Sequence, residues 1–94
     1  MVLNTLIGGS KLSAHMEGRA VDFRAVGYSP LYVCRRIRDL GVPYDQNIHE
    51  FGRWTHLGIA RQPRIEDLTA YRRDGYTRYT FGLTSIEELE GVAA

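Results

Sequence analysis

Two histidines, an aspartate and a glutamate are the residues of this chain whose types and spacing suit chemistry. His15 and Asp22 flank a glycine in Ser13-Ala-His15-Met-Glu-Gly18-Arg-Ala20-Val-Asp22, and His56 follows 34 residues after Asp22 in Trp54-Thr-His56. Zinc accepts imidazole nitrogen and carboxylate oxygen, and a catalytic site uses three protein ligands and keeps a fourth position for water. Glu50 stands six residues before His56 and offers a carboxylate to take that water's proton. The set points to a metal-dependent hydrolase. Spacing alone carries it only part of the way, because H-x6-D is no general zinc signature and a lone histidine is more often structural.

The elements that must position these residues are legible in part. Ala20 to Phe23 alternates and predicts a short strand with Val21 and Phe23 on one face, so that Asp22 points the other way. Ser29-Pro30 opens a helix over 30–40, with Ser as cap and Pro at the first position, and Gly41 stops it. Leu31, Val33, Cys34, Ile37 and Leu40 form its apolar stripe, and Arg35, Arg36 and Arg38 its wet face. Residues 46–51 and 54–60 read as two strands of a hairpin. A loop of Gly52-Arg53 alone would set His56 opposite His49 and turn Glu50 away. A loop of Phe51-Gly52-Arg53, or an equivalent bulge, pairs Glu50 with Trp54 and Ile48 with His56, so that Glu50, Trp54 and His56 share a face. That register is the expectation; it leaves His49 outside the site and sends Leu57 and Ile59 into the core.

The remaining stretches are less specific. Residues 1–12 read as loop around Gly8-Gly9-Ser10, and Asp74-Gly75 among three tyrosines predicts a hairpin. Thr84-Ser85 with Glu88 resembles a capping box for a short last helix. Glu17 and Arg19 read as surface residues. The resulting fold class is α+β: a small antiparallel sheet with the site on one face and helix 30–40 packed on the other.

Composition narrows the function classes. With 94 residues the chain is one domain, 1–94, whose segment 61–94 is a C-terminal extension without clear assignment. A net charge of +1 gives no reason to expect a nucleic-acid partner. No apolar run approaches the ~20 residues of a membrane span, and no basic leader marks a signal peptide. The single cysteine, Cys34, rules out an intramolecular disulfide and reads as a half-buried structural thiol. Synthesis in the cytoplasm and a monomeric state are expected.

Taken together, Ser13-x-His15-x-x-Gly18-x-Ala20-x-Asp22 with Glu50 ahead of Trp54-x-His56 resembles the M15 family of zinc peptidases. These include D-alanyl-D-alanine carboxypeptidases and phage endolysins that cut peptidoglycan peptides. Gly8-Gly9-Ser10-Lys11-x-Ser13 and Asp45-Gln46-x-Ile48-x-Glu50-Phe51-Gly52 fit the same family, and the likeness covers roughly residues 4–60. It implies the fold shared by DD-peptidases and hedgehog-type signalling domains. It further implies Zn2+ held by His15, Asp22 and His56, Glu50 as catalytic acid/base, and Trp54 and Ser13 in supporting or substrate-binding roles. Where other branches put the glutamate three residues before the last histidine, this chain has Arg53. The implied substrate is a D-alanine-containing stem peptide, and the implied place of action is the bacterial cell wall, in phage lysis or the periplasm. Relatives usually carry a Ser-Gly-Tyr-Arg-like segment ahead of the first motif, which this sequence does not show; Arg24 or an arginine of the tail is the candidate to replace its arginine. The competing reading is a catalytically silent zinc module that binds peptide or a protein partner.

Overall fold

The structure is a computed structural model that describes residues 5–6 and 18–90. Among these residues, six strands form one sheet in the order β1-β2-β4-β3-β5-β6. The strands are β1 (Thr5–Leu6), β2 (Gly18–Arg24), β3 (Gln46–Glu50), β4 (Trp54–Ala60), β5 (Glu66–Arg73) and β6 (Tyr76–Phe81), and the helices are α1 (Pro30–Leu40) and α2 (Ile86–Leu89). The α+β class expected from sequence holds. One pairing departs from a purely antiparallel sheet: β5 runs parallel to β3, with Glu50 beside Ala70. The 61–65 connection carries the chain past the start of β3, where Ile65 N–H donates to the Tyr44 carbonyl and Glu66 N–H to that of Asp45. Thr5–Leu6 pairs with β2, so that part of the 1–12 segment is a short strand rather than loop.

Helix α1 forms for the reasons its sequence suggests. Ser29 is extended at φ −73°, its side chain accepts from Tyr32 N–H at 3.1 Å, Pro30 follows, and Gly41 ends the helix in the left-handed region at φ 75°. Its buried face is Val33, Cys34 and Ile37. Leu40 shares that face but is 57% exposed, because the last turn runs beyond the side chains that cover Val33 and Ile37. Arg35, Arg36 and Arg38 are exposed as expected.

The core lies between α1 and the sheet: Phe23, Ala25, Val33, Ile37 and Tyr44, with Val21 and Leu57 packed against them. Ile59 falls outside it and is 55% exposed, since the apolar layer ends at Val21 and Leu57. Buried polar groups join the layers. Asn47 Nδ2 donates to the Cys34 carbonyl at 2.8 Å and to Asp67 Oδ1 at 3.1 Å, and the Tyr44 hydroxyl donates to the same oxygen at 2.5 Å. Burial, reinforced by Asp67, pushes the Tyr44 hydroxyl up to about 12. Cys34 is fully rather than half buried, 3.4 Å from Thr55 Oγ1, and burial pushes its thiol up to about 12, which leaves it a poor nucleophile.

The tail is ordered by the sheet. Asp74 and Gly75, both at positive φ, turn the β5–β6 hairpin where it was predicted. In the expected capping box, Thr84 Oγ1 bonds Glu88 Oε1 at 3.0 Å while Ser85, the cap residue, makes no side-chain cap bond.

Candidate metal centre on the sheet face

Side chains alternate across a strand, so the two faces of this sheet divide by residue parity. Val21, Phe23, Asn47, His49, Thr55 and Leu57 belong to the face that carries α1, as the core and the Asn47 and Thr55 contacts show. Asp22, Ile48, Glu50, Trp54 and His56 belong to the other. The register places Asp22 beside His56 and His56 beside Ile48 in one row, and Glu50 beside Trp54 in the next. Glu50 therefore lies diagonal to His56 across two paired strands, within reach of the same point above the sheet.

The hairpin that sets this row comes from an odd loop, as expected. Phe51 and Gly52 both have positive φ, at 57° and 69°, the sign combination of a type I′ turn, and Arg53 N–H closes it on the Glu50 carbonyl at 2.9 Å. Arg53 is the extra residue that lets Glu50 pair with Trp54. Phe51 pays for its unusual backbone partly through its N–H, which bonds the Ala70 carbonyl of β5 at 2.9 Å.

Asp22, Glu50 and His56 each offer one ligand atom within 4.8 Å of the others. His56 Nδ1 and Asp22 Oδ1 stand 2.7 Å apart and share a hydrogen-bonded proton. An ion bound by both would take that proton's place. All three side chains are half-buried, which shelters the charge without closing the site to a substrate. Burial first, then the negative charge of Asp22, push the Glu50 carboxyl up to about 7, while His56 and the Trp54 side chain pull it down. A carboxyl poised near neutrality can both accept and return a proton. One imidazole nitrogen and two carboxylates at this separation form a donor set of the kind that holds a metal ion.

His15 and Ser13 lie outside the described residues, as does Glu17. Of the site residues read from sequence, the structure brings together Asp22, Glu50 and His56, with Trp54 alongside. His49 sits on the opposite face, buried, its ring Nδ1–H donating to the Thr84 carbonyl at 3.0 Å. Burial lowers its pKa. Arg19 is exposed, as expected.

Sequence reading missed what the tail brings to this end of the sheet. Phe51, Arg53, Trp54, Arg72 and Glu90 line a cavity of about 410 Å³ next to the Glu50 row. No local signal announces Arg72 or Glu90 there: Arg72 extends β5 beyond its parallel pairing with β3, and Glu90 arrives at the end of α2, which meets β5 through the Arg72 backbone N–H.

A family model described as Peptidase M15 matches residues 1–58 and so spans the segment that holds Asp22, Glu50 and His56. The chain belongs to the M15 peptidase family. No curated protein and no solved structure matches it. Membership makes a peptidase-type function the general expectation, and the family is typically metal-dependent, in keeping with the Asp22, Glu50 and His56 cluster. Among the described residues, no helix is long and apolar enough to cross a membrane.

Proposed function

We propose that this M15 member is a zinc-dependent peptidase that hydrolyses D-alanine-containing stem peptides of peptidoglycan, with Glu50 as general base. The observation that carries the reading is one sheet face on which Asp22 and His56 meet at 2.7 Å and a half-buried Glu50 occupies the adjoining row. Asp22 and His56, joined by His15, would hold the ion. When bound, it polarises the scissile carbonyl and acidifies the attacking water.

The remaining chemistry belongs to the chain. Glu50 takes a proton from the water and passes it to the leaving amine nitrogen. Trp54 flanks Glu50 and supplies an apolar wall beside the scissile bond, and Ser13 supports the first motif. The place of action that fits this substrate is the bacterial cell wall.

Metal analysis and peptide hydrolysis test the reading together. Purified protein should hold one zinc per chain and release D-alanine or a new amine from peptidoglycan peptides. Glu50→Gln should keep the zinc and lose about 10²–10⁴-fold in kcat. A wild type that holds zinc yet is as inert as Glu50→Gln would favour the silent peptide-binding module.

A further inference from the structure

Strand β6 ends the sheet on one side, and among the described residues it pairs only with β5. Its backbone divides between the two flanks. On β5, the Ala70 carbonyl accepts from Phe51 N–H on the β3 side, so Thr69, Tyr71 and Arg73 turn their backbone groups to β6. Their partners there are Thr80, Arg78 and Tyr76. Gly82 N–H donates to the Asp67 carbonyl at 2.7 Å in the same alternation. The backbone groups of Thr77, Tyr79 and Phe81 therefore point away from the sheet.

Edge strands are ordinarily guarded by charge, proline, brevity or a bulge. At its outward positions β6 has none of these: it runs six residues in unbroken register, and Thr77, Tyr79 and Phe81 are uncharged. Their side chains lie on the face that carries Glu50, since Tyr79 pairs with Ala70 and Ala70 with Glu50. Tyr79 is 58% exposed, and Phe81, at 80%, is the most exposed large apolar residue among those described.

Such an edge fits a second copy of itself. A two-fold axis perpendicular to the sheet joins two β6 strands antiparallel and keeps every residue on its own face, so only positions of like parity can stand opposite. Centred on Tyr79, the axis sets Tyr79 against the partner's Tyr79 and Thr77 against the partner's Phe81. All outward residues then exchange N–H and C=O, for roughly six hydrogen bonds. The rings of Tyr79 and Phe81 from both copies meet on one face, and Arg78 stands opposite the partner's Thr80. Centring the axis on Arg78 instead would oppose two guanidinium groups and leave Phe81 against the turn at the partner's Gly75. An aromatic side chain buries about 150–250 Å² when covered. Four partly covered rings and the strand edge set the contact at the low end of the ~1,200–2,000 Å² of a specific interface, which means dissociation in the micromolar range.

We propose that β6 is a homodimer interface, in which two copies pair edge to edge about Tyr79 and join their sheets into one. It replaces the monomer expected from sequence and does not depend on the peptidase reading. The contact lies two strands from Glu50 and three from His56, so it leaves the metal cluster uncovered.

Sedimentation of the full chain from micromolar to millimolar protein tests the association. Wild type should pass from one chain to two and stop there, because a two-fold contact closes on itself. Tyr79→Lys sets two ammonium groups across the axis and should weaken the dimer at least tenfold, with dilute protein melting within about 4 °C of wild type. Cysteine pairing tests the register. Tyr79→Cys should form a disulfide-linked dimer on mild oxidation, because Cα atoms of a hydrogen-bonded antiparallel pair stand ~5.5 Å apart. Thr77→Cys lies on the same face but ~14 Å from its counterpart in this register, and should not. Cys34 is buried and stays out of the reaction. The proposal is overturned if wild type stays monomeric throughout, if its mass climbs past two chains, if Tyr79→Lys dimerises as tightly as wild type, or if Thr77→Cys crosslinks as fast as Tyr79→Cys.

Discussion

Zinc should stabilise this fold through Asp22 and His56, and removing His56 should abolish the effect. A ligand that binds only the native state at 100 times its Kd adds about 2.7 kcal/mol. For a domain of this size 1 kcal/mol moves the melting temperature by about 4–8 °C, so zinc should raise it by about 10–20 °C. His56 provides the nitrogen donor of the cluster and stands 2.7 Å from Asp22. In the metal-free protein that contact is partly exposed, so its loss costs under about 1 kcal/mol. His56→Ala should therefore shift the metal-free melting temperature by only a few degrees and reduce the zinc increment to under about 5 °C. Asp22→Asn should do the same, because it exchanges an anionic ligand for a neutral one. The assay is thermal unfolding with chelator and with saturating zinc, for wild type and both variants. The difference of differences isolates the metal from any general damage. If His56→Ala and Asp22→Asn keep the full increment, zinc binds elsewhere and the cluster is not its site.

Three further outcomes follow from the packing and the charges. Phe23, 1% exposed at the centre of the core, should cost about 3–5 kcal/mol when replaced by Ala, read by urea unfolding; a loss below 1 kcal/mol would contradict its place there. Gly52→Ala should cost about 1–2 kcal/mol, since φ is 69° and the new Cβ would meet Ile86 Cγ1 at 3.3 Å; an unchanged melting temperature would show that the hairpin turn relaxes freely. Arg64 bonds Asp45 through Nε at 2.9 Å and holds its carboxyl below the ordinary range. A lowered native pKa stabilises the fold above the unfolded value of about 3.9 and loses that contribution as pH falls through the native one. Asp45→Asn should thus melt below wild type at neutral pH, by a gap that closes in acid; a gap constant down to pH 2 would refute the pairing.

Local signals in the sequence recorded how Asp22, Glu50 and His56 come to share one face. Alternation over Ala20–Phe23 turned Asp22 away from the core, and the odd hairpin loop put Glu50 and His56 on one face, because one residue more or less inverts a strand's faces. Ser29, Pro30 and Gly41 bounded the helix because capping is chemistry of single residues. What could not be read was non-local. The parallel union of β3 with β5 depends on a connection that passes the end of β3, and no periodicity records which neighbour a strand will choose. Arg72 was invisible beside Glu50 for that reason, and Glu90 because the contact of α2 with β5 is equally non-local. Leu40 and Ile59 carried the right pattern yet lie where the apolar layer has ended, since pattern gives a face but not how far its cover extends.

The strand β5 has a bearing on acidity that reaches beyond architecture. Ala70, fully buried, is the β5 residue beside Glu50 on the parallel side, and β5 lies outside the segment that matches the family. Without it β3 would be an outer strand, with water along the flank of Glu50 and less desolvation to lift its carboxyl towards 7. The motif supplies the identity of the proposed base, while a strand from elsewhere in the chain helps tune its strength. Substitutions around Ala70 can therefore change the burial of the Glu50 carboxyl without touching any residue of the motif.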